Sequence, residues 1–365
     1  PINHIASLMT NTNLELVQQV IDKYDLYLPT VDDCMYIILK STRFYWHSTE
    51  EEIKIRSVLD LLTGMERAVF CYVNDFYHLR YFNDKLVRKI FKDTLGVKEN
   101  LVSDPKAEMA DTPEDVEILA KVICYDVMFD HATKKEIVSM KDELYPETKD
   151  KIASTAYNVK KQLSEYDDLI RAFFLTDNLP INIADIKMVV RGCTVLSDTD
   201  STCSTYQDWV LWYFRRGTPL FVSEEIGLSS FVLLMMSRTL AHSLELFSKR
   251  MNIKAPYTRL LAMKNEFYWK IMVYMNKTKH YYADTAIREG NVFGKTKLEL
   301  KGSNLINSKL PKMIKDLSDS YFTKITKTIT SGEKINLHKL VGEIVDIEKD
   351  LLQRFINMES EMMKE

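Results

Sequence analysis

Glycine and proline are both scarce, with 10 and 9 among 365 residues. That scarcity argues against a turn-rich sheet protein and predicts long regular elements, largely helical. The five cysteines, Cys34, Cys71, Cys124, Cys193 and Cys203, are scattered and include no C-x-x-C pair. Their odd number and spacing speak against a disulfide framework and a zinc site, and fit free thiols in a reducing compartment. The seven histidines are dispersed, with no H-E-x-x-H or other ligand spacing. The most apolar window, 231–247, is interrupted by Arg238, His242 and Glu245, so it reads as a buried helix and not as a membrane span. No signal-peptide pattern opens the chain. It begins at Pro1, without methionine, which suits a fragment or a processed start. The expectation is a cytoplasmic protein with no membrane partner.

Hydrophobic residues make up 46% of the chain, enough for sizeable cores in two or three domains. The formal net charge of −3 hides an asymmetry. From Lys249 to Thr330 there are 17 Lys and Arg against 6 Asp and Glu, a local net of +11, whereas the remainder carries −14. A block that basic within an acidic chain suits a polyanionic partner, or else a solvated basic face.

Residues 1–190 read as mainly helical. In 13–25, Leu14, Leu16, Val17, Val20 and Ile21 form one stripe behind Asn13 as N-cap. In 112–129, Thr112 as N-cap and Pro113 at the first helical position predict a helix start. A single helical stretch is expected over 149–174, and the polar loop 98–115 separates two helical groups. From 178 the texture becomes β-branched and aromatic. Cys193–Ser197 and Ser201–Gln207 read as paired strands with Asp198–Asp200 at the turn, followed by a long helix capped by Ser223. Strand-like runs at 267–275 and 280–289 flank a basic turn, "NKTK". A short strand, "KLELKG" (297–302), and helices after Asn304 complete the order.

The chemistry centres on "VLSDTDSTCS", 195–204. Two carboxylates at a tight turn suit a hard cation such as Mg²⁺, which takes one or two protein carboxylates plus substrate phosphates. Acidic hairpin turns are also common on ordinary surfaces, so D-T-D alone leaves both readings open. Among the other candidates, His242 reads as a satisfied core histidine. Met235, Met236, Met263, Met272 and Met275 read as core filler. Cys203 reads as packing rather than nucleophile. Of Tyr281 and Tyr282, which alternate in a strand, one is expected to be buried and the other free to stack on bases.

Taken with "LLAMKNEFYWKIMVYMNKTKHYYA" (260–283) and "KLELKG" (297–302), the D-T-D hairpin resembles motif C, the K-K-x-Y segment and the K-G element of the family B (alpha-like) DNA polymerases, as phages and viruses encode them. The resemblance covers about 191–315 and implies an α+β fold, with a palm-type antiparallel sheet, packed helices, a helical N-terminal region (1–190), a palm (191–302) and a helical thumb (303–365). It implies nucleotidyl transfer from a dNTP to a DNA 3′-OH with two Mg²⁺ ions, for which Mn²⁺ can substitute. Asp200 matches the metal-binding Asp, and Asp198 matches a supporting or second ligand. Lys279 and Tyr281 match the second Lys and the Tyr of K-K-x-Y, with Lys277 able to compensate for Thr278. Lys301 and Gly302 match the K-G pair on the DNA side.

There are departures from the pattern. Leu196 stands for the usual aromatic and His280 for a commoner basic residue. The thumb-like stretch offers Lys309 and Lys312 in place of paired arginines. Neither D-x-x-S-L-Y-P nor K-x-x-x-N-S-x-Y-G occurs, "YDLYLPT" (24–30) having the wrong spacing, and no suitable D-x-E exonuclease element is present. The expectation is therefore the C-terminal part of a polymerase, with primer–template DNA, dNTP and an N-terminal portion carrying the missing motifs as partners. The alternatives are a degenerate DNA-binding scaffold, or an unrelated helical interaction protein with a surface turn.

Overall fold

Asn13 caps the first strongly amphipathic helix: its side chain accepts from the Leu16 N–H, and Val17, Val20 and Ile21 turn inward. The computed structural model describes residues 2–41, 49–97, 112–125, 146–179, 193–197, 201–214, 222–261, 263–277, 279–302 and 310–358. The N-terminal helices are α1 (Ile2–Asn11), α2 (Leu14–Tyr24), α3 (Val31–Ser41), α4 (Thr49–Leu61), α5 (Gly64–Tyr72), α6 (Phe76–Phe82) and α7 (Asp84–Leu95). They are followed by α8 (Glu114–Ile123), α9 (Pro146–Ser164) and α10 (Asp167–Phe173). Strands β1 (Thr194–Ser197) and β2 (Thr202–Ser204) precede α11 (Gln207–Phe214) and the long α12 (Val222–Arg250). A three-stranded meander, β3 (Phe267–Tyr274), β4 (Tyr281–Arg288) and β5 (Asn291–Lys301), leads to α13 (Lys312–Thr330) and α14 (Leu337–Ile356). The fold is α+β, with two small antiparallel sheets among the described residues.

Two compact units divide the chain, one from Pro1–Met128 with Tyr145–Lys264, the other including Asn265–Glu365. The 191–302 segment thus contributes its hairpin and long helix to the first unit and its meander to the second. In the first unit α12 packs on α8, and α8 on α9. Tyr72, Phe91, Phe173 and Phe231 are fully buried there, each contributing about 1.5–3 kcal/mol by area removed from water.

Several local expectations are corrected. The 149–174 stretch is two helices, broken at tightened turns (Glu165 N–H to the Gln162 carbonyl, Tyr166 N–H to the Leu163 carbonyl). That break lets the Tyr166 hydroxyl donate to Asp93 at 2.7 Å. Pro113 sits at the N-cap and not inside the helix, its ψ of 141° being extended, and no side chain caps α8. Helix α12 begins at Val222, one residue before the expected cap Ser223. Its buried apolar side chains lie in the first half: Phe231, Leu234 and Met235 are inside, whereas Met236, Leu240 and Phe247 are exposed. Met263 is exposed as well, so Met236 and Met263 are not core filler. Among the described residues no helix is long and apolar enough to cross a membrane.

Strand β5 starts six residues before the expected 297. It is joined to β4 by a two-residue turn in which Glu289 (φ 48°) and Gly290 (φ 76°) both take the left-handed conformation. That geometry matches the twist of the flanking strands. Helix α13 covers one face of the meander, with the Phe322 ring 4.6 Å from Tyr282. Helix α14 joins α13 through the Tyr321 hydroxyl to the Leu340 carbonyl and through Lys324 to Glu343. It has no buried residue of its own.

Candidate acidic hairpin and nucleic-acid interface

Strands β1 and β2 pair in the antiparallel register Thr194↔Ser204, Leu196↔Cys203 and Ser197↔Thr202, with a bulge between Thr194 and Leu196. The Thr205 N–H closes the base on the Cys193 carbonyl at 2.7 Å. Asp198 and Asp200 lie outside the described residues, in the connection that the Ser197↔Thr202 pair closes. A pair of carboxylates is a hard-oxygen donor set suited to Mg²⁺. Among the described residues no group of three or more His, Cys, Asp or Glu side chains is arranged for a metal. Cys203 is half-buried, and that burial pushes its thiol pKa up, which leaves it a weak nucleophile.

The basic elements converge at one end of the meander. The Met275 N–H donates to the His280 carbonyl at 2.9 Å, and the His280 N–H donates to the Lys277 carbonyl at 3.2 Å. This closes the turn that carries Lys277 and Lys279, both exposed. Lys279 has φ 61°, a left-handed conformation that costs a side-chain residue about 1–2 kcal/mol. Tyr281 pairs with Lys301 across the β4–β5 ladder. Gly302 follows at φ 70°, and a Cβ there would stand 2.8 Å from the Lys279 carbonyl oxygen and 2.9 Å from the His280 ring. Lys277, Lys279, Tyr281, Lys301 and Gly302, dispersed in sequence, therefore share one sheet end.

Two of these residues are more constrained than their sequence pattern indicates. The Lys301 ammonium lies 3.2 Å from Glu299, which also accepts from the Thr285 hydroxyl. Sequence reasoning missed Glu299; its position two residues before Lys301, on the same strand face, is the signal that could have found it. Tyr281 is half-buried with its ring 5.3 Å from Trp269, and Tyr282 is the buried member of the pair. Lys312 is exposed at the start of α13, whereas Lys309 and Thr278 lie outside the described residues. His242 is half-buried, its Nε2 3.0 Å from the Thr176 carbonyl, a structural role rather than a ligand's.

A family model described as divergent family B DNA polymerase matches residues 1–365. No curated protein and no solved structure matches.

Proposed function

The chain belongs to the divergent family B DNA polymerases, and from that premise we propose that it forms the palm and thumb side of a DNA-directed DNA polymerase, its C-terminal part. Membership implies a polymerase-related role and association with DNA. It sets aside the reading as an unrelated helical interaction protein. The proposed reaction is template-directed nucleotidyl transfer from a dNTP to a DNA 3′-OH in replication.

Asp200 would hold Mg²⁺ directly and Asp198 would support it or ligate a second ion, with Mn²⁺ able to substitute. When bound, such ions stabilise charge on the attacking and leaving oxygens. The chain's own contribution would be to supply the two carboxylates from the segment between β1 and β2 and to grip DNA without reading its sequence. Lys277, Lys279 and Lys301 would meet phosphates, a contact that any sequence offers equally. Tyr281 would pack beside the primer–template, and Gly302 lets the turn approach the K-G element.

The observation that carries this reading is the packing of Gly302 against Lys279 and His280, which joins the K-x-Y and K-G elements at one sheet end. Neither the D-x-x-S-L-Y-P nor the K-x-x-x-N-S-x-Y-G pattern occurs in the sequence. Another segment or chain would supply those functions. The lack of both patterns also favours a second reading, a non-catalytic DNA-binding scaffold within a replication complex.

Primer extension with Mg²⁺ and dNTPs separates the two, using the chain alone and then with a polypeptide carrying the missing motifs. Synthesis in either condition, lost in Asp200→Asn, supports the polymerase. DNA binding without synthesis in both conditions supports the scaffold.

A further inference from the structure

Helices α3 and α6 leave a row of aromatic rings on the outside of the first unit. In α3, Cys34, Met35, Ile37 and Ile38 are buried, whereas Tyr36 is 42% exposed. In α6, His78, Leu79 and Arg80 are buried, whereas the next residue, Tyr81, is 53% exposed. The Tyr36 and Tyr81 rings stack between the two helices, 6.2 Å apart and 21° from parallel. Tyr81 meets Phe82 edge-on at 5.0 Å, and Phe82 stacks on Tyr27 at 5.4 Å with an interplanar angle of 6°. Tyr27 is itself 43% exposed. Four rings thus follow one another at the surface, and a contiguous exposed patch of that kind marks an interaction site.

The row is held in place before anything binds. The Tyr27 N–H donates to the Asn83 side-chain oxygen at 2.9 Å, and the Tyr27 carbonyl accepts from the Tyr72 hydroxyl at 2.6 Å. A fixed platform loses little conformational entropy when a ligand settles on it. A cation stands at its edge. The Lys40 ammonium donates to the Tyr36 hydroxyl at 2.9 Å and lies 5.2 Å from the centre of that ring. The neighbouring carboxylates are already engaged. Asp32 faces Arg56 at 2.7 Å, and Asp33 accepts from the Tyr27 hydroxyl and from the Thr30 N–H and hydroxyl. Lys40 is exposed and makes no ion pair among the described residues.

We propose that Tyr36 and Tyr81, with Lys40 at their edge, form a platform for single-stranded DNA, on which unpaired bases stack while Lys40 meets a phosphate. The inference rests on the association with DNA that family membership implies. Every base has a π-face, so stacking on flat rings tolerates any sequence. Duplex DNA keeps its base faces within its own stack and has none to offer, which assigns this surface to an unpaired strand. A protein partner would be anchored by side chains inserted into pockets; rings lying flat at the surface beside a lysine suit bases and phosphate.

The test measures, by fluorescence anisotropy, the affinity of the full chain for a labelled oligothymidylate and for a blunt duplex. The chains compared are wild type, Tyr36→Ala, Tyr81→Ala, Tyr81→Phe and Lys40→Ala. Each tyrosine-to-alanine change is expected to weaken oligothymidylate binding roughly tenfold and to leave duplex binding unchanged, whereas Tyr81→Phe keeps the ring and stays near wild type. Lys40→Ala should lower the slope of log K against log salt for the single strand by about 0.7. An oligothymidylate carrying 5-iododeoxyuridine, irradiated on wild type, should crosslink to Tyr36 or Tyr81, a readout that needs no variant to fold. Oligothymidylate affinity unchanged in both alanine variants, equal losses on both DNAs, or crosslinks confined to other residues overturn the platform. Wild type that binds duplex but no single strand also overturns it, points to a protein partner for the rings, and leaves the polymerase reading standing. Wild type that binds neither DNA removes both.

Discussion

Gly302 and the Lys279 carbonyl oxygen are so close that a single added carbon would stand 2.8 Å from that oxygen. The backbone of Gly302 also has φ 70°. Gly302→Ala therefore suffers both a steric contact with main chain and left-handed strain, together about 1–3 kcal/mol. The expected outcome is a lower unfolding midpoint and weaker primer–template binding as the lysine turn is pushed away. Fluorescence anisotropy beside a thermal melt measures both. Wild-type values in both would mean that the close approach has no consequence.

Lys279→Ala removes an exposed cation from that turn and leaves in place the main-chain hydrogen bonds that close it. Affinity should fall about equally for unrelated DNA sequences, and the slope of log K against log salt should shrink by about 0.9 for the one lost phosphate contact. A salt titration with two duplexes of different sequence tests this. An unaltered slope would remove Lys279 from the interface.

Asp200→Asn keeps the size and hydrogen-bonding capacity of the side chain and deletes its charge. Synthesis is expected to disappear while DNA affinity stays within about twofold, since uniform binding and transition-state stabilisation are separate quantities. Primer extension and a parallel binding isotherm decide. Retained synthesis excludes this residue as the metal ligand.

Stability should carry an acid-dependent component from Asp168. Burial pushes its pKa up, but hydrogen bonds from Lys23 at 2.7 Å, the Tyr24 hydroxyl at 2.9 Å and its neighbour's N–H outweigh that and hold the carboxyl below its ordinary value. A group depressed in the folded state stabilises above its unfolded pKa, near 4, and loses that contribution as pH falls through the folded value. Urea unfolding of wild type and Asp168→Asn from pH 6 to pH 3 should show two curves that converge on acidification. Parallel curves would show that the contact carries no linkage.

Much of the hairpin architecture was legible because alternation and polar turns are local signals. The pairing of the D-T-D strands, the "NKTK" turn and the capped 13–25 helix followed from neighbouring residues, although the second strand, expected over Ser201–Gln207, spans only Thr202–Ser204 and Gln207 already begins α11. The early start of β5 was not legible, because glutamate at position 289 is an unusual occupant of a left-handed turn position and concealed the reversal. The convergence of Gly302 on Lys279 was legible only through family resemblance, since register across a strand pair is not written in either strand alone. The contact of Arg80 on α6 with Asp208 on α11 had no signal at all. Arg80 and Asp208 are 128 positions apart, and an arginine on a helix normally reads as solvated surface.

That separation has a kinetic consequence. The meander closes through the short turns at 277–280 and 289–290, so the basic turn and the K-G element can assemble from sequence neighbours with little loop-closure entropy. The seat of α11 needs α6 and α7 to be in place and the helix to find them across more than a hundred residues. During refolding the turn that carries Lys277 and Lys279 should therefore reach its native arrangement before α11 does, as hydrogen-exchange protection followed through refolding would show.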